Sequence, residues 1–275
     1  MTTLTINHNV EPQWRAHIWK WAVHVTHRCS ITAIAAMLVV ASPLAQCQEL
    51  LISTAASLTN AFKDIGAEFE KTHPGTKVNF NFAASDILLK QIVEGAPADV
   101  FASADQKAMD SAAQQNAIVR ATRSNFAANR LVLAIPVDSK LTLTSLEDLK
   151  QPGMKSIAIS QPATVPVGRY ARGALDQAKL WTALEDKFIY TQNVRQSLDY
   201  AARGEVDAAF VYATDVAIQK DKVKAALEIP TPTPVTYPIA LVKSSKQSKL
   251  AADFVTLVKS ETGQKILQGY GFAMP

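Results

Sequence analysis

The stretch LLISTAASLTNAFKDIGAEF, residues 50–69, sets two periodicities side by side. Residues 50–53 form a short apolar run of strand character. Downstream of it, Leu58, Phe62, Ile65 and Phe69 recur at the spacing of one helix face, and His73-Pro74-Gly75 ends that helix because Pro and Gly both break it. A strand that feeds a helix through a few small residues is the repeating step of an α/β fold.

The same step recurs outward from this stretch. Val78, Phe80 and Phe82 alternate as a second strand, residues 85–94 (SDILLKQIVE) read as a helix stopped by Gly95 and Pro97, and residues 100–102 read as a third strand. Further strands are expected at 131–135, 156–159, 188–190, 208–211 and 239–242, with helices at 167–178, 195–203, 248–259 and 262–268. Thr231-Pro232-Thr233-Pro234 cannot be helical, since each Pro lacks a donor and disfavours helix in the residue before it, so it reads as a connector. The expectation is an α/β fold with largely parallel sheets. Periodicity leaves open whether these strands make one open sheet or two lobes.

The 275 residues are 48% hydrophobic and 19% charged, the profile of an ordinary globular chain with a sizeable core. Arg15, Lys20 and Arg28 against Glu11 carry half of the net charge of +4, and the remainder is too small for a nucleic-acid footprint. Those charges lie in a leader: residues 31–41 (ITAIAAMLVVA) are apolar or small, follow Arg28 and precede Ser42-Pro43. The run is shorter than the roughly 20 residues of a membrane-spanning helix, so residues 1–47 are expected to be a signal peptide cleaved after Ala45 or Cys47. An uncleaved anchor is the alternative. A lipid-attachment reading of Leu44-Ala45-Gln46-Cys47 fits less well because of Gln46. The long stretch before the apolar run also allows a start downstream of Met1. Cleavage removes Cys29 and Cys47 with His8, His17, His24 and His27, leaving His73 as the one histidine and no cysteine. Disulfides, thiol nucleophiles and multi-histidine zinc sites are thereby excluded from the mature chain.

Several helices open on small or hydroxyl-bearing residues just after a strand: Ser57 in Ala55-Ala56-Ser57-Leu58, Ser85 in Ala83-Ala84-Ser85-Asp86, and Val167-Gly168 after Pro166. Each helix start exposes unpaired N–H groups and the positive end of a dipole, so several converging starts make an anion cradle without Lys or Arg. Taken one at a time, either serine is as well explained as a simple N-cap.

The runs at 54–62 (TAASLTNAF), 95–101 (GAPADVF) with Ser103-Ala104-Asp105, 165–171 (VPVGRYA), Asn193-Val194-Arg195 and Val211-Tyr212 together resemble the molybdate-binding periplasmic proteins of ABC-type molybdate importers, in the same order, from about residue 49 to 272. The resemblance implies a type II periplasmic-binding fold: a two-lobed α/β protein with its ligand cleft at the hinge. It implies lobe I at 48–128 and 236–275, lobe II at 129–235, no cofactor, molybdenum bound only as its oxyanion, permease subunits as partners, and a monomeric periplasmic carrier. Carried over by motif, Ser57 and Ser85 supply hydroxyls and amides from the first lobe, Val167 and Val194 supply backbone N–H groups from the second, and Tyr212 donates its phenol. Such a site has only donors, which suits a fully deprotonated dianion and leaves the proton of a hydrogen phosphate unmatched. Discrimination against sulfate then rests on cavity size.

Two features depart from the family pattern. Asp86 follows Ser85 directly and is expected to turn outward and complement the helix dipole. Val167 stands where a smaller residue is usual, which tightens the cavity. Arg169 and Arg195 flank the proposed amide donors and are expected in surface or salt-bridge roles. Asp99 and Asp105 are expected in turn and cap roles instead of a metal site. Alternative readings are a tungstate or sulfate carrier of the same fold and, from another class, a serine-dependent hydrolase. The hydrolase is disfavoured because His73 lies in a Pro-Gly turn and neither serine sits in a Gly-x-Ser-x-Gly or Ser-x-x-Lys motif. The chain is therefore expected not to be an enzyme.

Overall fold

The computed structural model describes residues 48–275. The leader at 1–47, with its apolar run, cleavage positions and both cysteines, lies outside the described residues.

The first half runs β1 (Gln48–Ala55), α1 (Thr59–Thr72), β2 (Thr76–Ala83), α2 (Ser85–Val93), β3 (Val100–Ala102), α3 (Gln106–Gln114) and β4 (Ser124–Asn129). The chain then builds β5 (Leu131–Pro136), β6 (Ile157–Ser160), α4 (Pro166–Gln177), α5 (Trp181–Leu184), β7 (Phe188–Thr191), α6 (Val194–Ala202), β8 (Ala208–Tyr212), α7 (Ala213–Ile218) and β9 (Val223–Ile229). It returns through β10 (Val235–Leu241), α8 (Ser248–Lys259) and α9 (Glu261–Gly269).

These strands form two five-stranded sheets of matching design, β2-β1-β3-β10-β4 and β7-β6-β8-β5-β9. In the first, β2, β1 and β3 pair in parallel and β10 runs antiparallel to both β3 and β4. In the second, β7, β6 and β8 pair in parallel and β5 runs antiparallel to both β8 and β9. Each sheet is thus largely parallel with one reversed strand. The reversed strands are the two at which the chain changes sheet. It crosses once through Arg130, between β4 and β5, and once through residues 230–234, which contain the expected Pro-rich connector.

Why each helix lies where it does follows from its apolar face. α1 buries Phe62, Ile65 and Phe69, and the Phe62 ring meets Phe126 at 5.7 Å and Phe254 at 6.0 Å, tying α1 to β4 and α8. This packing fixes the turn at Ala56–Leu58 that precedes α1. In the second sheet, α4 buries Val167, Tyr170, Ala171, Ala174 and Leu175. Its Gly168 lies so close to the end of β6 that a Cβ there would stand 2.0 Å from the Ser160 carbonyl oxygen. Only glycine permits that approach.

Gly168→Ala is therefore expected to destabilise the chain by at least about 1–3 kcal/mol, the cost of forcing an atom into a packed interior. Gly269→Ala, where nothing lies within 4 Å, is expected to stay within about 0.5 kcal/mol of the parent. Paired urea titrations read both differences.

Candidate functional site

The loops at the ends of β1, β2 and β8 and the starts of α4 and α6 converge on one cavity between the two sheets. Its walls include Ala55, Ser57, Ala84, Ser85, Ala104, Val165, Val167, Asn193, Val194 and Tyr212. All five residues singled out from the sequence meet here, and no charged side chain lines the cavity.

The serines do not cap their helices. Ser57 sits inside the Ala56–Leu58 turn and Ser85 is the first residue of α2, and the cap positions Ala55 and Ala84 carry no side-chain bond. The N-cap reading of these residues is thereby overturned, because a small apolar residue takes the cap position and moves each hydroxyl into the first turn. Both serines are buried. The Ser85 Oγ accepts the Ala104 N–H at 3.1 Å, and the Ser57 Oγ lies 3.1 Å from the Tyr237 Oη.

Backbone donors come from the other sheet. Pro166 opens α4 and has no N–H, so Val167 brings the first amide of that helix. In α6 the cap residue Asn193 accepts the Gln196 N–H at 3.1 Å, leaving the Val194 amide among the first-turn donors that have no intrahelical acceptor. Tyr212 ends β8 with its N–H donated to Asp215 Oδ2 at 3.0 Å, while its buried Oη has no partner in the protein. Burial pushes the Tyr212 phenol well above the usual tyrosine range, so it keeps its proton. Three hydroxyls and two helix starts thus surround a small space with hydrogen-bond donors.

Charge is held just outside that space, on two arginines whose contacts reach across to the first sheet. Arg169, on α4, reaches Asp86 on α2 at 2.6 Å and Asp105 at 2.7 Å. Asp86 stays in the first turn of α2 and off the cavity wall, and there the guanidinium across the cleft captures it, a partner the helix dipole alone does not foretell. Burial raises the Asp86 carboxyl, with Arg169 pulling the other way. Desolvation lowers the Arg169 pKa, but Asp105 and Asp86 outweigh it and the net shift is upward. Asp105 also caps α3 through the Ala108 N–H, and Asp99 accepts from the Leu51 N–H and the Ser245 hydroxyl. Arg195, on α6, donates to Asn60 Oδ1 at 2.9 Å and to the Ser57 carbonyl at 3.0 Å. Its Nε stands 3.0 Å from Asp215 Oδ1 without the alignment of a hydrogen bond. Burial pushes Asp215 up to about 6, against the pull of Arg195. The salt-bridge expectation for both arginines holds, and both pairs are mostly buried instead of lying on the surface.

Sequence reasoning missed Tyr237 and Asn129. Tyr237 lies in an apolar strand beside Pro238, and Asn129 at the end of an edge strand, so nothing local marks either. His73 stacks on Phe69 at 3.9 Å between ring centroids at the far end of α1, about 20 Å of helix from Ser57. No histidine base serves either serine among the described residues.

The family described as bacterial extracellular solute-binding protein matches residues 50–273. The Molybdate-binding protein ModA of Escherichia coli is 35% identical, over 86% of this chain and 93% of its own. The Putative ABC transporter substrate-binding lipoprotein YvgL of Bacillus subtilis is 34% identical, over 81% and 85%. A solved substrate-binding domain of a putative molybdenum ABC transporter from Clostridium difficile superposes with a TM-score of 0.64 at 35% identity, covering 82% of this chain and 99% of that one. On the match across nearly all of the described residues, this chain belongs to the bacterial extracellular solute-binding proteins.

Proposed function

We propose that this chain captures molybdate outside the cytoplasm and hands it to the permease of an ABC importer. The observation that carries the reading is the cavity in which Ser57, Ser85, Tyr212 and the starts of α4 and α6 converge with no charged side chain. A tetrahedral dianion offers only acceptors, and oriented hydroxyls and amides in a water-poor cavity neutralise it without a counter-ion. The names of the Escherichia coli and Bacillus subtilis relatives agree with this reading. Residues 1–47 act as the export signal, the two sheets with their helices act as the two lobes, changing over at Arg130 and at residues 230–234, and no cofactor takes part. Among the described residues no helix is long and apolar enough to cross a membrane.

Binding and closure are coupled through the contacts that Arg169 and Arg195 make across the cleft. Hydroxyls of the first lobe and amides of the second can reach one anion only when the lobes meet, and the Arg169 and Arg195 contacts form in that same arrangement. The arginines therefore act on how long the cleft stays shut.

Calorimetric titration is expected to give tight, similar binding of molybdate and tungstate, and much weaker binding of sulfate and phosphate. Equal competition by sulfate would rule the reading out. Ser57→Ala, Ser85→Ala and Tyr212→Phe are each expected to weaken molybdate binding by about 1.5–3 kcal/mol, the range for hydrogen bonds to a charged group.

Arg169→Ala is expected to act through dissociation, raising the off-rate about tenfold while the on-rate changes little, as interface substitutions usually do. Stopped-flow traces with molybdate separate the two rates. A collapse of the on-rate with an unchanged off-rate would place the guanidinium on the entering anion.

A further inference from the structure

The direction of the Ser57 hydroxyl is set by two residues that do not line the cavity. The Asn129 Oδ1 accepts the Arg130 N–H at 2.9 Å, and a backbone N–H can only donate, so the orientation of the side-chain amide is fixed. Its Nδ2 then faces Thr214 Oγ1 at 2.8 Å and Tyr237 Oη at 3.3 Å, and an amide nitrogen also only donates. Tyr237 Oη therefore accepts from Asn129.

The Tyr237 phenol is fully buried and holds one hydrogen. Its other neighbour is the Ser57 Oγ at 3.1 Å. If Ser57 donated to it, the phenol hydrogen would be buried with no acceptor, a costly arrangement. The phenol instead donates to Ser57, whose own hydrogen is left for the cavity. Ser85 reaches the same state by another route, since the Ala104 N–H already occupies its oxygen. Tyr212 has no internal partner at all.

Resting on the reading of this cavity as an oxyanion site, we infer that Asn129 and Tyr237 are specificity-determining positioning residues. They keep the Ser57 hydroxyl a donor and so disfavour oxyanions that carry a proton. A hydrogen phosphate needs one acceptor. Each serine oxygen already accepts one internal hydrogen bond and turns its own hydrogen to the cavity, so a hydrogen phosphate meets a donor at each serine where it needs an acceptor.

The test is a competition titration at mildly alkaline pH, with molybdate as the unprotonated probe and hydrogen phosphate as the protonated one. It compares the parent chain with Tyr237→Phe and Asn129→Leu, each checked for a cooperative thermal transition. In Tyr237→Phe the Ser57 hydroxyl is free to rotate and accept. Molybdate affinity is expected to fall about tenfold, equivalent to losing one oriented bond, while phosphate does not weaken in step. The phosphate-to-molybdate ratio needed for half displacement is therefore expected to drop by about tenfold or more. Asn129→Leu, which leaves the phenol in place, is expected to shift the ratio in the same direction by less. A merely structural role would weaken both anions alike, and an unchanged ratio in both variants overturns the inference. A parent chain that binds molybdate while the ratio stays fixed overturns this inference alone; a parent that binds no oxyanion overturns the proposed function with it.

Discussion

A doubly charged anion can leave water without a cationic partner only if enough N–H and O–H groups are already aimed at the place it will occupy. Side chains alone rarely supply so many in one spot. Helix starts do, because their first amides have no intrahelical acceptor. The fold brings such starts together from two sheets of the same strand order, through loops that leave β1 and β2 in one and β6 and β7 in the other and enter helices at the cavity wall. The small residues there follow from the same constraint. Ala55, Ala56, Ala83, Ala84 and Ala104 let backbone and hydroxyls approach without filling the space. Gly168 does the equivalent for α4 by letting it close onto Ser160.

Keeping arginines near but off the cavity has an electrostatic reason. A free guanidinium beside a neutral-dipole site would bind many anions through charge and weaken selection by shape and proton count. Here Arg169 is held by two carboxylates and Arg195 by a carboxylate, an amide oxygen and a backbone carbonyl. Arg169 ties the sheets through its carboxylates, and Arg195, paired with Asp215 of its own half, ties them through Asn60 and the Ser57 carbonyl. Asp86, beside Ser85 on the same helix turn, is part of that arrangement: it gives Arg169 a reason to point away from the hydroxyl next door.

Much of the fold was legible along the chain, and the reasons divide cleanly by range. α1 and α4 showed themselves because their buried faces recur at helical spacing, as with Leu58, Phe62, Ile65 and Phe69. β4 (SNFAAN) and β9 (VKAALEI) did not, since both are sheet-edge strands whose sequences mix exposed or half-buried polar residues with small ones. α3 (QKAMDSAAQ) was equally silent, its buried face being Ala108, Met109 and Ala112. The five cavity residues were reached through their motifs. The contacts that govern them were not, because Ser57 meets Tyr237 across 180 positions and Arg169 meets Asp86 across 83. No local pattern encodes such pairs. The first-turn place of Asp86 is likewise local and legible, while the guanidinium that captures it is not.

On the proposed reading, neutral donors alone hold the anion. A crystal structure of the exported chain grown with molybdate tests it most directly. The expected result is an anion in the cavity with its oxygens about 2.7–3.2 Å from Ser57 Oγ, Ser85 Oγ, Tyr212 Oη and the amide nitrogens of Val167 and Val194, with both arginines still on their carboxylates. A guanidinium of Arg169 or Arg195 turned onto the anion, or an anion bound elsewhere, would contradict it.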